Sequence, residues 1–159
     1  MALEIEKKFL VKGDFRSFSS SKSHIVQGYI CSASGRTVRV RLCDEESFLT
    51  IKGPSTDDGL SRHEYEYAIS REDAIGLLSL CEGGIIDKTR WFVPMNDGHT
   101  VEVDEFHGDN AGLVVAEVEL QSTDEAFAKP EWMGEEVTGD RRYYNSQLRE
   151  KPFSLWEKG

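Results

Sequence analysis

Charged and apolar positions alternate along most of the chain. In residues 3–11, Leu3, Ile5, Phe9 and Val11 fall on one side of an extended segment and Glu4, Glu6 and Lys8 on the other, because successive side chains of a β-strand point to opposite faces. The period of two returns in residues 36–42, where Arg39 and Arg41 alternate with Val38, Val40 and Leu42, and in 48–52, where Leu49 and Ile51 oppose Thr50 and Lys52. Residues 60–69 set Arg62, Glu64 and Glu66 against His63, Tyr65 and Tyr67, and residues 85–93 carry Lys88 and Arg90 in one register. Residues 100–106 set Glu102 and Asp104 against Val101 and Val103, and residues 113–120 set Glu117 and Glu119 against Ala116, Val118 and Leu120. Residues 24–32 are rich in β formers, with Gly28 predicting a bulge or a close backbone approach. About eight short strands with short connections predict a mainly β (α+β) fold, an antiparallel barrel or sandwich.

Helical periodicity is confined to three places. Ser70-x-x-Asp73 has the form of a capping box, and Ala74, Ile75, Leu77, Leu78 and Cys81 make an apolar stripe that Gly83-Gly84 ends, which predicts a helix over 70–82. A short helix over 124–128 is ended by Pro130, and a helix over 140–150, capped by Thr138 or Asp140, is stopped by Pro152. Residues 13–23 read as a loop with one helical turn, 53–59 as a turn-rich loop and 96–98 as a hairpin tip. With no linker or repeat, the 159 residues predict one domain, 1–159.

Composition narrows the partners. A net charge of -10 argues against a nucleic-acid polymer, whose backbone is bound by Lys and Arg in excess of acids, but it leaves room for a small polyanion in a local basic site. Three cysteines without a CxxC pair predict neither a disulfide framework nor a structural zinc site. No apolar run has signal-peptide or membrane-spanning length, so the expectation is a soluble, cytoplasmic protein with no membrane partner; a homodimer is compatible with the sequence. His24, His63, His99 and His107 show no ligand spacing and read as surface or packing residues, and Tyr65 and Tyr67 are expected to pack under the 70–82 helix.

Any one charged face is explained by an open sheet in water. The set is not, because the doublets are pure carboxylate or pure cation, with almost nothing neutral between them. Such segregation implies a ligand with two ends, or a metal and an anion. If the sheet curls so that these faces point inward, the lumen is costly unless something neutralises its charges, and a triphosphate with a divalent ion would do so.

In this order the motifs resemble the CYTH domain proteins, also called triphosphate tunnel metalloenzymes, of the short, bacterial, tripolyphosphatase-like type. The resemblance runs through Glu4 to Val11, Gln27-Gly28-Tyr29, Val38 to Arg41, Leu49 to Lys52, Arg62 to Tyr67, Lys88-Thr89-Arg90, Val101 to Asp104, Ala116 to Glu119, Trp132 to Thr138 and Asp140 to Asn145. It implies an eight-stranded antiparallel β-barrel tunnel with a few peripheral helices and a C-terminal helix at one end. It implies that Glu4, Glu6 and Glu119, helped by Glu117 and Asp104, hold Mg²⁺ or Mn²⁺. Lys8, Arg39, Arg41, Lys52, Lys88 and Arg90, with Arg62 and Arg142 as further contacts, would bind the phosphate chain. The implied activity is metal-dependent hydrolysis of a triphosphate, inorganic tripolyphosphate first, with water held by a second metal or oriented by Glu64, Asp104 or Glu117. Lys88 would bind phosphate electrostatically first, with assistance to the leaving or transferred phosphate as the alternative, and Lys8 would stand where metal-bound and cation-bound oxygens meet. The alternatives are cyclisation of ATP and hydrolysis of thiamine triphosphate, with Tyr29, Trp91 or Trp132 stacking on an organic group. A non-catalytic polyphosphate or nucleotide sensor is the alternative from another class; it could dispense with the carboxylates that this chain retains.

Overall fold

The alternating segments pair into one antiparallel sheet in the computed structural model, which describes residues 2–33, 35–56 and 60–156. The strands are β1 (Ala2–Val11), β2 (Ser21–Ala33), β3 (Arg36–Cys43), β4 (Glu46–Lys52), β5 (Ser61–Ala68), β6 (Glu82–Pro94), β7 (Thr100–Phe106), β8 (Val114–Glu119) and β9 (Met133–Glu136). Their order is β5-β4-β3-β2-β6-β7-β8-β1-β9, and a further β5–β1 pairing closes β1 to β8 into a barrel. β1 makes closure possible by its length: residues 2–5 pair with β5, residues 6–10 pair with β8, and β9 joins at Phe9 and Val11. Residues 57–59 of the turn-rich loop and the Leu3 side chain lie outside the described residues.

Apolar packing sits outside the barrel wall and at one end. Ile5 and Phe9 of β1, Val101 and Val103 of β7, and Ala116 and Val118 of β8 form one buried layer, covered by Phe15, Trp132 and Met133. A second cluster joins Ile86, Phe106 and Val115 to Tyr143 and Leu148 of the C-terminal segment. Phe106 pairs with Lys88 and Val115 with Asp104, so they share the inward face and close that end of the lumen. Gly28 is a close approach where the β2–β6 register shifts, between Gln27 and Tyr29: a Cβ there would stand 2.8 Å from both Cys81 Sγ and Ile85 Cδ1. The 96–98 tip holds, with Gly98 at φ +91° and the Met95 N–H donating to the His99 carbonyl at 2.7 Å. Among the described residues no helix is long and apolar enough to cross a membrane.

The helices differ from expectation in four ways. Helix α1 (Arg71–Leu78) starts at Ser70, whose Oγ accepts from the Asp73 N–H at 3.0 Å, but it stops four residues early. Gly83 and Gly84 belong to β6 and admit Arg149: a Cβ on Gly83 would lie 2.7 Å from Arg149 Nη1, and the Gly84 N–H donates to the Arg149 carbonyl. The 140–150 helix is broken at Tyr144 (φ -71°, ψ 134°) into a 3-10 turn, Arg141–Tyr143, and α2 (Asn145–Leu148). Asp140 caps the turn, while the Thr138 hydroxyl accepts from the Lys8 N–H at 3.0 Å. Residues 124–128 form no helix: Asp97 Oδ2 takes the Ala128 N–H, and the Glu125 side chain turns back to accept from the Gln121 N–H. Finally, α1 packs on β2, β3 and β4 rather than β5, which leaves Tyr65 and Tyr67 exposed.

Candidate active site

Directly opposed residues of an antiparallel pair share a face, so the register dictates who meets inside. Glu4 lies opposite Arg62, Lys52 opposite Glu64, Thr50 opposite Arg39 and Glu66, Arg41 opposite Gln27, and Arg90 opposite Asp104. Glu102 lies opposite Glu117, and Glu6 opposite Glu119. The charged side chains among them, Asp104 excepted, line a cavity of about 350 Å³. Of the residues expected at the site, Glu4, Glu6, Lys8, Arg39, Arg41, Lys52, Arg62, Glu64, Lys88, Arg90, Glu117 and Glu119 all line it. Asp104 stands behind them, 1% exposed, against Lys88 and Arg90. Arg142 does not join: it is exposed and bonded to Asp140 at 2.8 Å. Trp91 and Trp132 pack on Phe15 outside the barrel, so Tyr29 alone of the three expected stacking aromatics faces the cavity.

The lining also includes Glu66, Glu102, Thr37, Tyr144 and Asn145. Glu66 and Glu102 extend the Glu64 and Asp104 doublets by strand period, a signal present in the sequence. Tyr144 and Asn145 carried only their place in the family motif Asp140 to Asn145 and no periodic signal, because the break at Tyr144 is what turns them toward the lumen.

Some of the charges are closed into pairs. Lys52 Nζ donates to both Glu4 oxygens at 2.9 Å and lies 3.4 Å from Glu64. Lys88 Nζ donates to Asp104 Oδ2 at 2.8 Å, and Arg90 grips the same carboxylate at 2.8 and 3.0 Å. Lys8 stands 3.5 Å from Glu117. Burial opposes the Asp104 carboxylate, but Arg90 and Lys88 hold it well below the usual carboxylate range. Glu117 is likewise held at about 2, against burial, chiefly by Lys8. Burial brings Lys88 down to about 7, opposed by Asp104 and reinforced by Arg90 and Arg41.

Other charges are left open. Arg39 donates to Thr50 Oγ1 at 3.4 Å, Arg41 to Gln27 Oε1 at 2.7 Å and Arg62 to Thr37 Oγ1 at 3.3 Å, all neutral partners. Among the described residues none of the three has a carboxylate within ion-pair distance, and the Nε atoms of Arg39 and Arg62 are buried without a hydrogen-bond partner. Burial, with Arg39 and Arg90 beside it, lowers Arg41 to about 9. On the acidic side, the Glu6 carboxylate has no hydrogen bond or ion pair among the described residues. Burial pushes it up to about 8, helped by the charges of Glu117 and Glu4. Burial and a hydrogen bond to Glu4 also raise Glu64.

A hard divalent cation fits this acidic wall. Glu6 ionises reluctantly because it is buried and meets the charges of Glu117 and Glu4, and a cation among them would reverse that preference. Among the described residues no three acidic, His or Cys side chains already converge on one point. Such an ion would therefore complete its shell with water and substrate oxygens, as Mg²⁺ commonly does.

Comparison with known proteins bears on the chain as a whole. Residues 2–147 match the CYTH domain. An inorganic triphosphatase of Acetivibrio thermocellus is 47% identical over 159 residues, covering 99% of this chain and 100% of that one. An inorganic triphosphatase of Nitrosomonas europaea is 39% identical over 151 residues, covering 91% and 95%. A crystal structure of an inorganic triphosphatase superposes with a TM-score of 0.68 at 34% identity, covering 100% of this chain and 99% of its own.

Proposed function

The chain belongs to the CYTH domain family, and on that premise we propose that it hydrolyses inorganic tripolyphosphate inside the barrel, with Mg²⁺ or Mn²⁺ as cofactor. The observation that carries this reading is the pair of open groups in one cavity: three guanidiniums with no carboxylate within ion-pair distance among the described residues, and Glu6, raised by burial and by the charges of Glu117 and Glu4. A bare polyanion answers the first and a divalent ion the second. A triphosphate chelate answers both.

Arg39, Arg41 and Arg62 offer forked N–H donors to phosphate oxygens, and Lys8, Lys52, Lys88 and Arg90 add point and forked charge around them. Glu4, Glu6, Glu117 and Glu119 would hold the cation, which supplies neutralisation of phosphate oxygens and polarisation of the phosphoryl group. In hydrolysis a water oxygen bonds to the terminal phosphorus in line with the anhydride oxygen, whose bond to that phosphorus breaks; orthophosphate and diphosphate leave. Of the carboxylates expected to orient the water, Glu64 is the best base. Asp104 is locked between two cations and Glu117 is held at about 2, whereas Glu64 is raised. Lys88, at about 7, is suited to stabilise or protonate the leaving oxygen. A cytoplasmic location belongs to the same proposal and agrees with three free cysteines.

The test is phosphate release from tripolyphosphate, ATP and thiamine triphosphate, each with Mg²⁺ or Mn²⁺. Tripolyphosphate should be turned over fastest, and nothing released in EDTA. Cyclic AMP from ATP would replace the hydrolase with a cyclase; tight binding without turnover of any substrate would make the protein a sensor.

A further inference from the structure

We propose that Gln27 and Asn145 form a neutral amide relay that fixes the spacing of Arg41 and Lys88 while leaving the charge of Arg41 uncompensated for phosphate. The relay rests on the tunnel being the phosphate site. Arg41 Nε donates to Gln27 Oε1 at 2.7 Å, Gln27 Nε2 donates to Asn145 Oδ1 at 2.9 Å, and Lys88 Nζ donates to that same Oδ1 at 2.8 Å. Gln27 is fully buried, so its bonds are not exchanged with water.

The residue type is the informative part. Lys52 and Arg90 are placed by carboxylates, which neutralise what they place. A primary amide accepts at one end and donates at the other, so it orients a guanidinium and passes the constraint on without adding charge. Asn145 Oδ1 closes the chain by accepting twice, from Gln27 and from the buried ammonium. Since Asn145 opens α2, the C-terminal turn is tied to the cations of two distant strands, β3 and β6. Both amides act through Arg41 and Lys88 and are positioning residues.

The isosteric variants Gln27→Glu and Asn145→Asp keep shape and acceptors but place an anion between the two cations. Each should remain folded, with an unfolding temperature at or above the native one. Each should weaken tripolyphosphate by about tenfold or more, read as KM against a smaller change in kcat and as Kd by calorimetry in EDTA. Gln27→Ala and Asn145→Ala should be non-additive in Kd, the double variant binding little worse than the weaker single. A folded Asn145→Asp protein that binds within twofold of native, or alanine effects that multiply, overturns the relay. Native protein that binds tripolyphosphate without hydrolysing it ends the hydrolase reading and leaves the relay to be decided by Kd. Native protein that fails to bind ends both.

Discussion

Glu6→Gln should make the metal-free protein more stable and inactive at once. Glu6 has an ordinary carboxyl pKa of 4.5 when unfolded and about 8 in the barrel, where burial and the charges of Glu117 and Glu4 oppose its ionisation. The folded state therefore binds a proton that the unfolded state has released, and stability falls as pH rises from about 4.5 to about 8. At pH 7 the gap covered is roughly 2.5 pH units, which at about 1.4 kcal/mol each is a cost of about 3–4 kcal/mol. Glutamine keeps the shape and breaks no side-chain bond among the described residues, so it should recover most of that. For a chain of 159 residues this is a rise of about 6–12 °C in Tm. The assay is thermal unfolding of both proteins in EDTA at pH 5 and pH 7, beside phosphate release with Mg²⁺. The gain should shrink toward pH 5, and added Mg²⁺ should stabilise the native protein more than the variant. A variant equally or less stable at pH 7 in EDTA, or a gain independent of pH, refutes the argument.

Asp104→Ala should behave in the opposite sense, losing about 3–5 kcal/mol in urea unfolding, because it leaves Lys88 and Arg90 buried without their carboxylate. Arg142→Ala should leave KM for tripolyphosphate within about twofold of native in steady-state kinetics, since its guanidinium is exposed and occupied by Asp140. His99 is raised by hydrogen bonds to Glu125 and Asp97, so its contribution is complete below pH 6.5 and is lost as pH rises through its folded value. His99→Gln should accordingly lower Tm more at pH 6 than at pH 9, as scanning calorimetry at the two pH values would show.

What was legible in the sequence was what a period of two encodes. The faces of β1, β3, β5, β6, β7 and β8 follow from alternation, and with them nearly all of the lumen charges. Alternation is silent where the backbone departs from it. The β2–β6 register shifts across Gly28, between Gln27 and Tyr29, and Gln27 entered the site only as part of a family motif and not as the buried partner of Arg41. The Gly83-Gly84 pair looks like a helix stop because glycine is common there, yet here it makes room for Arg149 from far along the chain. Helical pattern over 140–150 overrode nothing local, but Tyr144 is drawn extended where its ring lies 5.2 Å from Lys8 Nζ and the next residue reaches Lys88. Those contacts are tertiary and leave no periodic trace.

Because the apolar layers lie outside the wall and at one end, the lumen can hold charge that folding alone would not favour. That charge divides into two kinds with opposite thermodynamic signs. The closed groups, Lys88–Asp104–Arg90 and Lys52–Glu4–Glu64, are self-compensated; they set the geometry, and removing one member strands the others. The open groups, Arg39, Arg41 and Arg62 on one wall and Glu6 on the other, have no oppositely charged partner within ion-pair distance among the described residues and are left to what enters. Loss of turnover cannot separate the two kinds, since both serve the same site. Stability of the empty protein can: neutralising an open group should raise it, and neutralising one partner of a closed group should lower it. A stability scan across the lumen, run without metal or phosphate, therefore maps which residues the ligand must satisfy and which the fold has already satisfied.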